Sequence, residues 1–460
     1  SGSNESNLQD LNIAQSSDYS NVLNLQSFFG RLKYMYADKY LLTVTYRRDG
    51  SSRFVGDNKW GNFPSAAFAW KIYEEDFMSN ASTLSNLKLR LSWGITGQQD
   101  IGSYYPAIAS YLSSTETAQY QFGSGFVNTY RAQPYNTTLK WEETTTYNVG
   151  VDFGLMDDFL TGSVDAYYRK TKDLLNFIPF PAGSALSNAD FANIGEMENK
   201  GVELSLNIAA IKKEDLNLDI ALNATYTDTE ITKLTTNDDP SYEGVETGGF
   251  TGGVGNTIQR HTVGYAPNSY FVYQQVYDAS GKPLEGVYVD RNNDGVVTTA
   301  DKYRYEKPTA DFTFGLSANL NYKNWDFSMA WRANVGNYVY NNVDSNLGFG
   351  LQLLNSAFPD VISNGVDNVL ESGFVGGGAE RYLSDYYIQD ASFLKLDNLS
   401  VGYRFIRAED KKSQWALSLS GQNLWTITDY TGLDPEVSGG IDYNIYPRPS
   451  IFMLGVKLTF

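Results

Sequence analysis

The chain has 460 residues, no cysteine and a formal charge of −18, which excludes a disulfide framework, a thiolate metal site and a basic nucleic-acid-binding surface. Aromatic residues make up 15%, with 34 Tyr and 8 Trp, yet mean hydropathy is only −0.36, and no apolar run reaches the roughly 18 residues that a membrane helix needs. A wall of strands that alternate lipid-facing and water-facing residues averages to such a hydropathy, and girdles of Tyr and Trp raise its aromatic content.

The opening "SGSNESNLQD" is polar and carries no export signal. A first strand is expected over residues 27–36, closed by the tight turn "ADK" at 37–39. In "LLTVTYR", Leu42, Val44 and Tyr46 alternate with Thr43, Thr45 and Arg47. In "LKLRLSWGIT", Leu87, Leu89, Leu91, Trp93 and Ile95 oppose Lys88, Arg90, Ser92, Gly94 and Thr96. The same period of two runs through "TYNVGVDFG", "LTGSVDAYYR", "GVELSLNI", "LNLDIALNATY", "FTFGLSANLNY", "WDFSMAWR" and "WALSLSGQNLW". About thirteen strands result, each near the roughly ten residues that a tilted strand needs to cross a bilayer.

Short turns, "ADK", "LMDD" at 155–158, "KKED" at 212–215 and "KN" at 323–324, alternate with long segments such as 97–140, 227–311 and 336–392. Short turns on one side and long loops on the other are the asymmetry of an outer-membrane barrel, periplasm below and exterior above. Loops of that length would be out of place in a compact soluble domain. The chain closes on "FMLGVKLTF", where Phe452, Leu454, Val456, Leu458 and Phe460 share one face. An apolar terminal strand would be an aggregation-prone edge in a soluble sandwich; in a barrel it is the closing strand, and its final Phe resembles the signal read by the barrel-assembly machinery.

Parity extends the reading. If the last strand descends to the periplasm, so does the strand at 27–36, thirteenth from the end, and the residues before it start outside. Bacterial single-chain barrels take even strand numbers, and natural barrels start in the periplasm. The expectation is therefore the C-terminal portion of a larger barrel, spanning 1–460 and interrupted within a surface loop.

One stretch has metal-site spacing. "DRNNDGVVTTAD" (290–301) sets Asp290, Asn292 and Asp294 at positions one, three and five, Gly295 at six and Asp301 at twelve, as in an EF-hand-like calcium loop, with the Val296 carbonyl as a further ligand. A structural Ca2+ stiffening an exterior loop is expected; an Asn/Asp-rich turn without metal is the alternative, and Asp in place of Glu at position twelve shortens that ligand's reach. Enzyme chemistry finds little footing, and no catalytic residue is assigned. His261 is the only histidine, the 53 acidic residues fall mostly in turns, loops or the water-facing phase, and "TGGFTGG" (247–253) lacks the lysine and helix of a phosphate cradle. A barrel protease using paired carboxylates with His261 is the one enzymatic alternative.

Five blocks carry a family resemblance: "RRDGSSRFVGDNKWGNFPSAAFAWKIYEEDFM", "LKWEETTTYNVGVDFGLMDDFLTGSVDAYYRKTKDLL", "NIGEMENKGVEL", "DASFLKLDNLSVGYRF" and "GQNLWTITDYTGLDPE". In this order they resemble the TonB-dependent transporters of the SusC/RagA family. The resemblance implies an all-β fold, a transmembrane antiparallel β-barrel of 22 strands of which these would be the last thirteen. It further implies a plug, a TonB-contacting segment and the first strands N-terminal to this chain. Location in the outer membrane of a Gram-negative bacterium follows, with outer-membrane lipid around the wall. Partners implied are TonB, a SusD-like surface lipoprotein acting as a lid, and a dimer of transporter–lipoprotein pairs. The implied function is active import of an oligomer, glycan or oligopeptide. A passive or adhesive barrel without a plug is the alternative. Tyr-rich segments at 101–112 and 128–136 are candidates for ligand contact, without a substrate-binding residue being assigned.

Overall fold

The computed structural model describes residues 21–459 other than 180–182, 184–188, 236–241, 254, 355–361, 377 and 407–413. Thirteen strands form one sheet in which each pairs antiparallel with its sequence neighbours. They are β1 (Leu25–Tyr36), β2 (Tyr40–Ser51), β3 (Trp60–Lys71), β4 (Leu84–Gln98), β5 (Glu142–Leu155), β6 (Leu160–Lys172), β7 (Glu196–Lys213), β8 (Leu216–Lys233), β9 (Phe312–Tyr322), β10 (Trp325–Val335), β11 (Phe393–Ile406), β12 (Gln414–Thr428) and β13 (Ile451–Thr459).

Register sorts the side chains into two faces. Leu89 pairs with Val151 and Leu91 with Val149 on one side, while Lys88 meets Asp152 and Ser92 meets Asn148 on the other. At the end of the sheet Leu417 pairs with Val456 and Leu419 with Leu454. A soluble sheet would bury this apolar face against a second layer. Here Leu419 is 56% exposed and Phe452 and Leu454 are each 71% exposed, as a lipid-facing wall requires. Phe452, Leu454, Val456 and Leu458 thus lie on the outer face of β13; Phe460 lies outside the described residues. Among the described residues β1 and β13 each lack a second barrel neighbour, and all twelve residues of β1 are exposed.

On one rim most connections are tight, the link 72–83 between β3 and β4 being longer. Ala37 and Asp38 have φ of 50° and 55°, and the Lys39 amide donates to the Tyr36 carbonyl at 3.0 Å, a turn whose twist suits a hairpin. Lys323 and Asn324 join β9 to β10, and Glu214 and Asp215 join β7 to β8. The strands run further than alternation suggests. Lys212 and Lys213 belong to β7, Leu155 to β5, and β8 continues to Lys233, so the long connections start at 99 and 234 rather than at 97 and 227. The upper ends of β7 and β8 are mostly polar, with Met197 and Ile231 the paired exceptions, which erases the alternation while their hydrogen-bond ladder continues.

The largest core lies in the opposite rim, not in the wall. Segments 234–311, 336–392 and 429–450 pack Ile258, Tyr270, Val272, Tyr340, Tyr387 and Ile441 into one buried cluster. At its centre strand Tyr338–Asn341 pairs antiparallel with Ile388–Asp390 and parallel with Ile441–Asp442, so three separate loops share one small sheet. The Tyr270 hydroxyl lies 2.9 Å from the Tyr338 carbonyl and 2.7 Å from the Gly440 carbonyl, tying the first loop to the other two. The Gly-rich 247–253 segment is not a loose loop: Val245–Gly249 pairs with Thr257–His261, and Phe250 enters the core. A second cluster, Phe54, Phe63, Leu139 and Trp141, fastens the connections on either side of β3 and β4.

Candidate functional site

The polar face of the sheet is the candidate passage. Across β2 to β6 its middle row reads Thr43, Ala67, Ser92, Asn148 and Tyr167, small or uncharged side chains presented in one band. Below this band the charges cancel locally. Arg90 sends Nε to Asp152 at 2.9 Å and Nη1 and Nη2 to both Asp165 oxygens at 2.9 and 2.7 Å, while Lys88 reaches Asp152 at 2.6 Å. Gly150 makes the span feasible: a Cβ there would sit 2.3 Å from Asp165 Oδ1 and 2.7 Å from Arg90 Nη2. One guanidinium therefore crosses three strands because the middle strand has no side chain in its path.

A second network closes the upper end. Lys395 in β11 is 2% exposed, and its ammonium meets Asp434 Oδ1 at 2.6 Å and Glu436 Oε2 at 2.7 Å. Arg448 approaches Glu436 at 2.6 Å, and Arg332 in β10 binds both Glu436 and Asp397, the latter at 2.8 Å. Three cations face three carboxylates. The "GLDPE" stretch of the last loop is thereby pinned to the inner wall, and the alternation of β11, which places Lys395 on the polar face, was the available sequence signal.

Two loop carboxyls give the cap opposite pH responses. Burial lifts Asp344 to about 6, against weaker opposing hydrogen bonds from Thr431 and Gln389. Its folded value lies above the ordinary 3.8, so between the two the folded chain holds a proton the unfolded chain lacks, and stability rises as pH falls through 6. For Glu436, burial pushes upward, but hydrogen bonds from Arg332 and Lys395 outweigh it and hold the group at about 2; that contribution is present above 4.5 and is lost as pH falls toward 2. Protection of segments 336–392 and 429–450 from protease is expected to peak near about pH 4.5 and to fall by about 2–3 kcal/mol toward pH 7.5 from Asp344 alone. Asp344→Asn should flatten the rise between pH 7 and 5; an unchanged profile would refute the assignment.

The 290–301 stretch folds as a tight loop in the connection before β9. Asp290 Oδ2 accepts the Gly295 amide at 2.8 Å, Asn292 Oδ1 the Asp294 amide at 2.9 Å, and Asp294 Oδ1 the Val296 amide at 2.9 Å. Gly295, at φ 88°, supplies the reversal expected of it. Asp301 is fully buried beneath the loop, taking the Arg291 amide at 2.8 Å and the Thr298 amide at 2.7 Å on separate oxygens. The structure thus brings Asp290, Asn292 and Asp294 together and commits Asp301 to backbone amides. Among the described residues no group of three or more His, Cys, Asp or Glu is arranged to hold a metal, so ligation here depends on the Asn292 amide and the Val296 carbonyl as well. His261 ends a small strand with Nε2 2.9 Å from Asn268 Oδ1.

The Tyr-rich connection between β4 and β5 forms a projecting two-tier hairpin, Tyr111–Ser113 on Tyr130–Ala132 and Tyr120–Phe122 on Gly125–Val127. Tyr111, Phe122 and Tyr130 are each more than 70% exposed, so this arm offers aromatic faces to whatever lies above the barrel. At its base Tyr104, Tyr105, Gln133 and Asp190 line a cleft of about 390 Å³.

Comparison with known proteins agrees with this architecture. Residues 2–424 match the family described as TonB dependent receptor-like, beta-barrel. The chain is 45% identical to the TonB-dependent receptor SusC of Bacteroides thetaiotaomicron, over 98% of this chain and 45% of that protein. It is 34% identical to the TonB-dependent receptor P3 of Formosa agariphila, over 97% of this chain and 46% of that protein. Among solved structures, the RagAB peptide importer in its "open-open" state superposes with a TM-score of 0.77 at 26% identity, covering 95% of this chain and 47% of that one. The chain spans about half the length of the relatives it matches. Thirteen antiparallel strands with a lipid-facing outer surface, a polar inner face and long packed loops on one rim, in a sequence matched along nearly its whole length, place this chain in the TonB-dependent receptor β-barrel family of the Gram-negative outer membrane, in its SusC/RagA branch.

Proposed function

We propose that this chain is the C-terminal wall and exterior cap of a 22-stranded barrel that imports oligomeric nutrients, glycan or oligopeptide, across the outer membrane. An N-terminal remainder supplies the first strands, a plug and a TonB-contacting segment. A SusD-like surface lipoprotein delivers ligand to the cap, TonB supplies the energy, and two transporter–lipoprotein pairs can associate. The observation that carries this reading is the 45% identity to the receptor SusC along 98% of the chain. The barrel edges of β1 and β13, unpaired among the described residues, support it, because a bilayer leaves no water to satisfy a strand edge. Deleting the TonB-contacting segment of the intact protein should abolish growth on the cognate oligomer while surface binding persists. Undiminished growth would overturn energised import and leave a passive or adhesive barrel.

The 290–301 loop is proposed as a structural Ca2+ site built on Asp290, Asn292, Asp294 and the Val296 carbonyl, with Asp301 holding the loop from below. The donors are all hard oxygens, the chemistry that suits Ca2+. Calorimetric titration of the purified barrel with Ca2+ should give saturable binding that Asp294→Ala abolishes. Absence of heat in the parent protein would refute it.

A further inference from the structure

Among the exterior loops, a cavity of about 430 Å³ opens between two parts of segment 336–392 and segment 429–450. Its lining includes Asp344, Asp367, Glu371 and Asp442 and no basic residue, and among the described residues none of the four carboxylates has an ion-pair partner. Asp442 is satisfied by the Tyr430 hydroxyl at 2.7 Å and the Asn444 amide at 2.8 Å. Asp344 is not. Only 9% exposed, it accepts the Asn341 amide at 2.7 Å, Gln389 at 3.3 Å and Thr431 at 3.4 Å on Oδ2 and, among the described residues, no donor on Oδ1. Asn368 Oδ1, on a residue 7% exposed in the same wall, also has no donor.

Asp344 is largely buried, but its Oδ1 is not sealed off and opens to the cavity, so a cation arriving there would complete a carboxylate that has no ion-pair partner among the described residues. The missing partner must bring positive charge and N–H or O–H donors. A bare metal ion fits poorly, since metal–oxygen distances near about 2.4 Å need ligands drawn tightly together, and no three acidic or His side chains among the described residues are so placed. The remaining lining points elsewhere: Val343, Val366 and Leu433 give the cavity apolar walls beside its carboxylates. Apolar wall plus acidic end matches an alkyl stem tipped by a cation. We propose that this pocket binds a lysine- or arginine-type side chain, its ammonium or guanidinium seated against Asp344 Oδ1 and its stem against Val366 and Leu433. This site does not depend on energised import, since its chemistry lies wholly within the exterior loops.

The test is ligand-observed saturation-transfer NMR on the detergent-purified barrel at pH 7.5. Nα-acetyl-lysine amide and Nα-acetyl-arginine amide are compared with Nα-acetyl-norleucine amide, which keeps the stem and removes the charge. Saturable binding of the two cations, about tenfold weaker in Asp344→Asn and in the rim variant Glu371→Gln, is expected. A lysine-bearing hexapeptide and lysozyme, at equal ammonium concentration, separate a flexible peptide from a folded protein surface as the source of that side chain. Equal binding of the norleucine amide, no saturable binding of either cation, or Ca2+ binding lost in Asp344→Asn where the amides do not bind, would each overturn the proposal. Glu371 is exposed, so its neutralisation leaves the fold intact even if Asp344→Asn disturbs it.

Discussion

Replacing Lys395 with methionine is expected to destabilise the top of the barrel by about 3–5 kcal/mol, the usual cost of removing one partner from a buried charge cluster. The methylene stem would be kept and the charge lost, so Asp434, which is 5% exposed, would face Glu436 with only Arg448 and Arg332 to neutralise the pair. The result should appear as a lower melting temperature in detergent and as new protease cleavage within segment 429–450. Adding Asp434→Asn should recover part of the loss by removing the stranded carboxylate, a non-additivity that only coupled groups produce. A single variant melting within about 1 kcal/mol of the parent would show the network to behave like ordinary surface ion pairs.

Tyr340→Ala should be nearly as damaging, at about 3–5 kcal/mol, but its effect should be confined to the loops. Tyr340 is fully buried, its ring 5.6 Å from Phe250 and 6.3 Å from Tyr387, and its hydroxyl lies 2.8 Å from both the Ser345 hydroxyl and the Tyr382 carbonyl. Truncation empties the centre of the core that joins segments 234–311, 336–392 and 429–450. Cleavage in 234–311 and 336–392 should accelerate together while the strands keep the resistance of a folded barrel to detergent. Tyr446→Ala, at a residue 90% exposed, is the control and should change neither readout. Simultaneous loss of wall and loops in Tyr340→Ala would show that the cap is no independent packing unit.

The wall was legible because its chemistry repeats every two residues. Leu87 to Ile95 against Lys88 to Thr96 announces both a strand and its two solvents, and the tight turns fix the count. The loop core was not legible. Tyr270, Tyr340 and Tyr387 come from segments far apart in sequence and meet only in the fold, without a period to betray them. The calcium-type spacing from Asp290 to Asp294 predicted a real turn, and could not say that Asp301 would spend both oxygens on amides. Nor could it show that Gly150, one glycine among 41, is a passage for a neighbouring guanidinium.

Arg90 has a consequence for assembly. Backbone hydrogen bonds between antiparallel strands resist separation but are re-made after a slip of two residues, because every second position offers the same ladder and the same face. Arg90 cannot follow such a slip. A shift of β5 or β6 by two residues moves Asp152 or Asp165 by about 7 Å and takes a carboxylate from the guanidinium, and a shift of β5 also pushes a side chain into the gap that Gly150 keeps open. The cross-strand cation thus acts as a vernier, permitting one alignment of three strands and making each neighbouring alignment electrically unbalanced and, where β5 is the strand that slips, crowded as well.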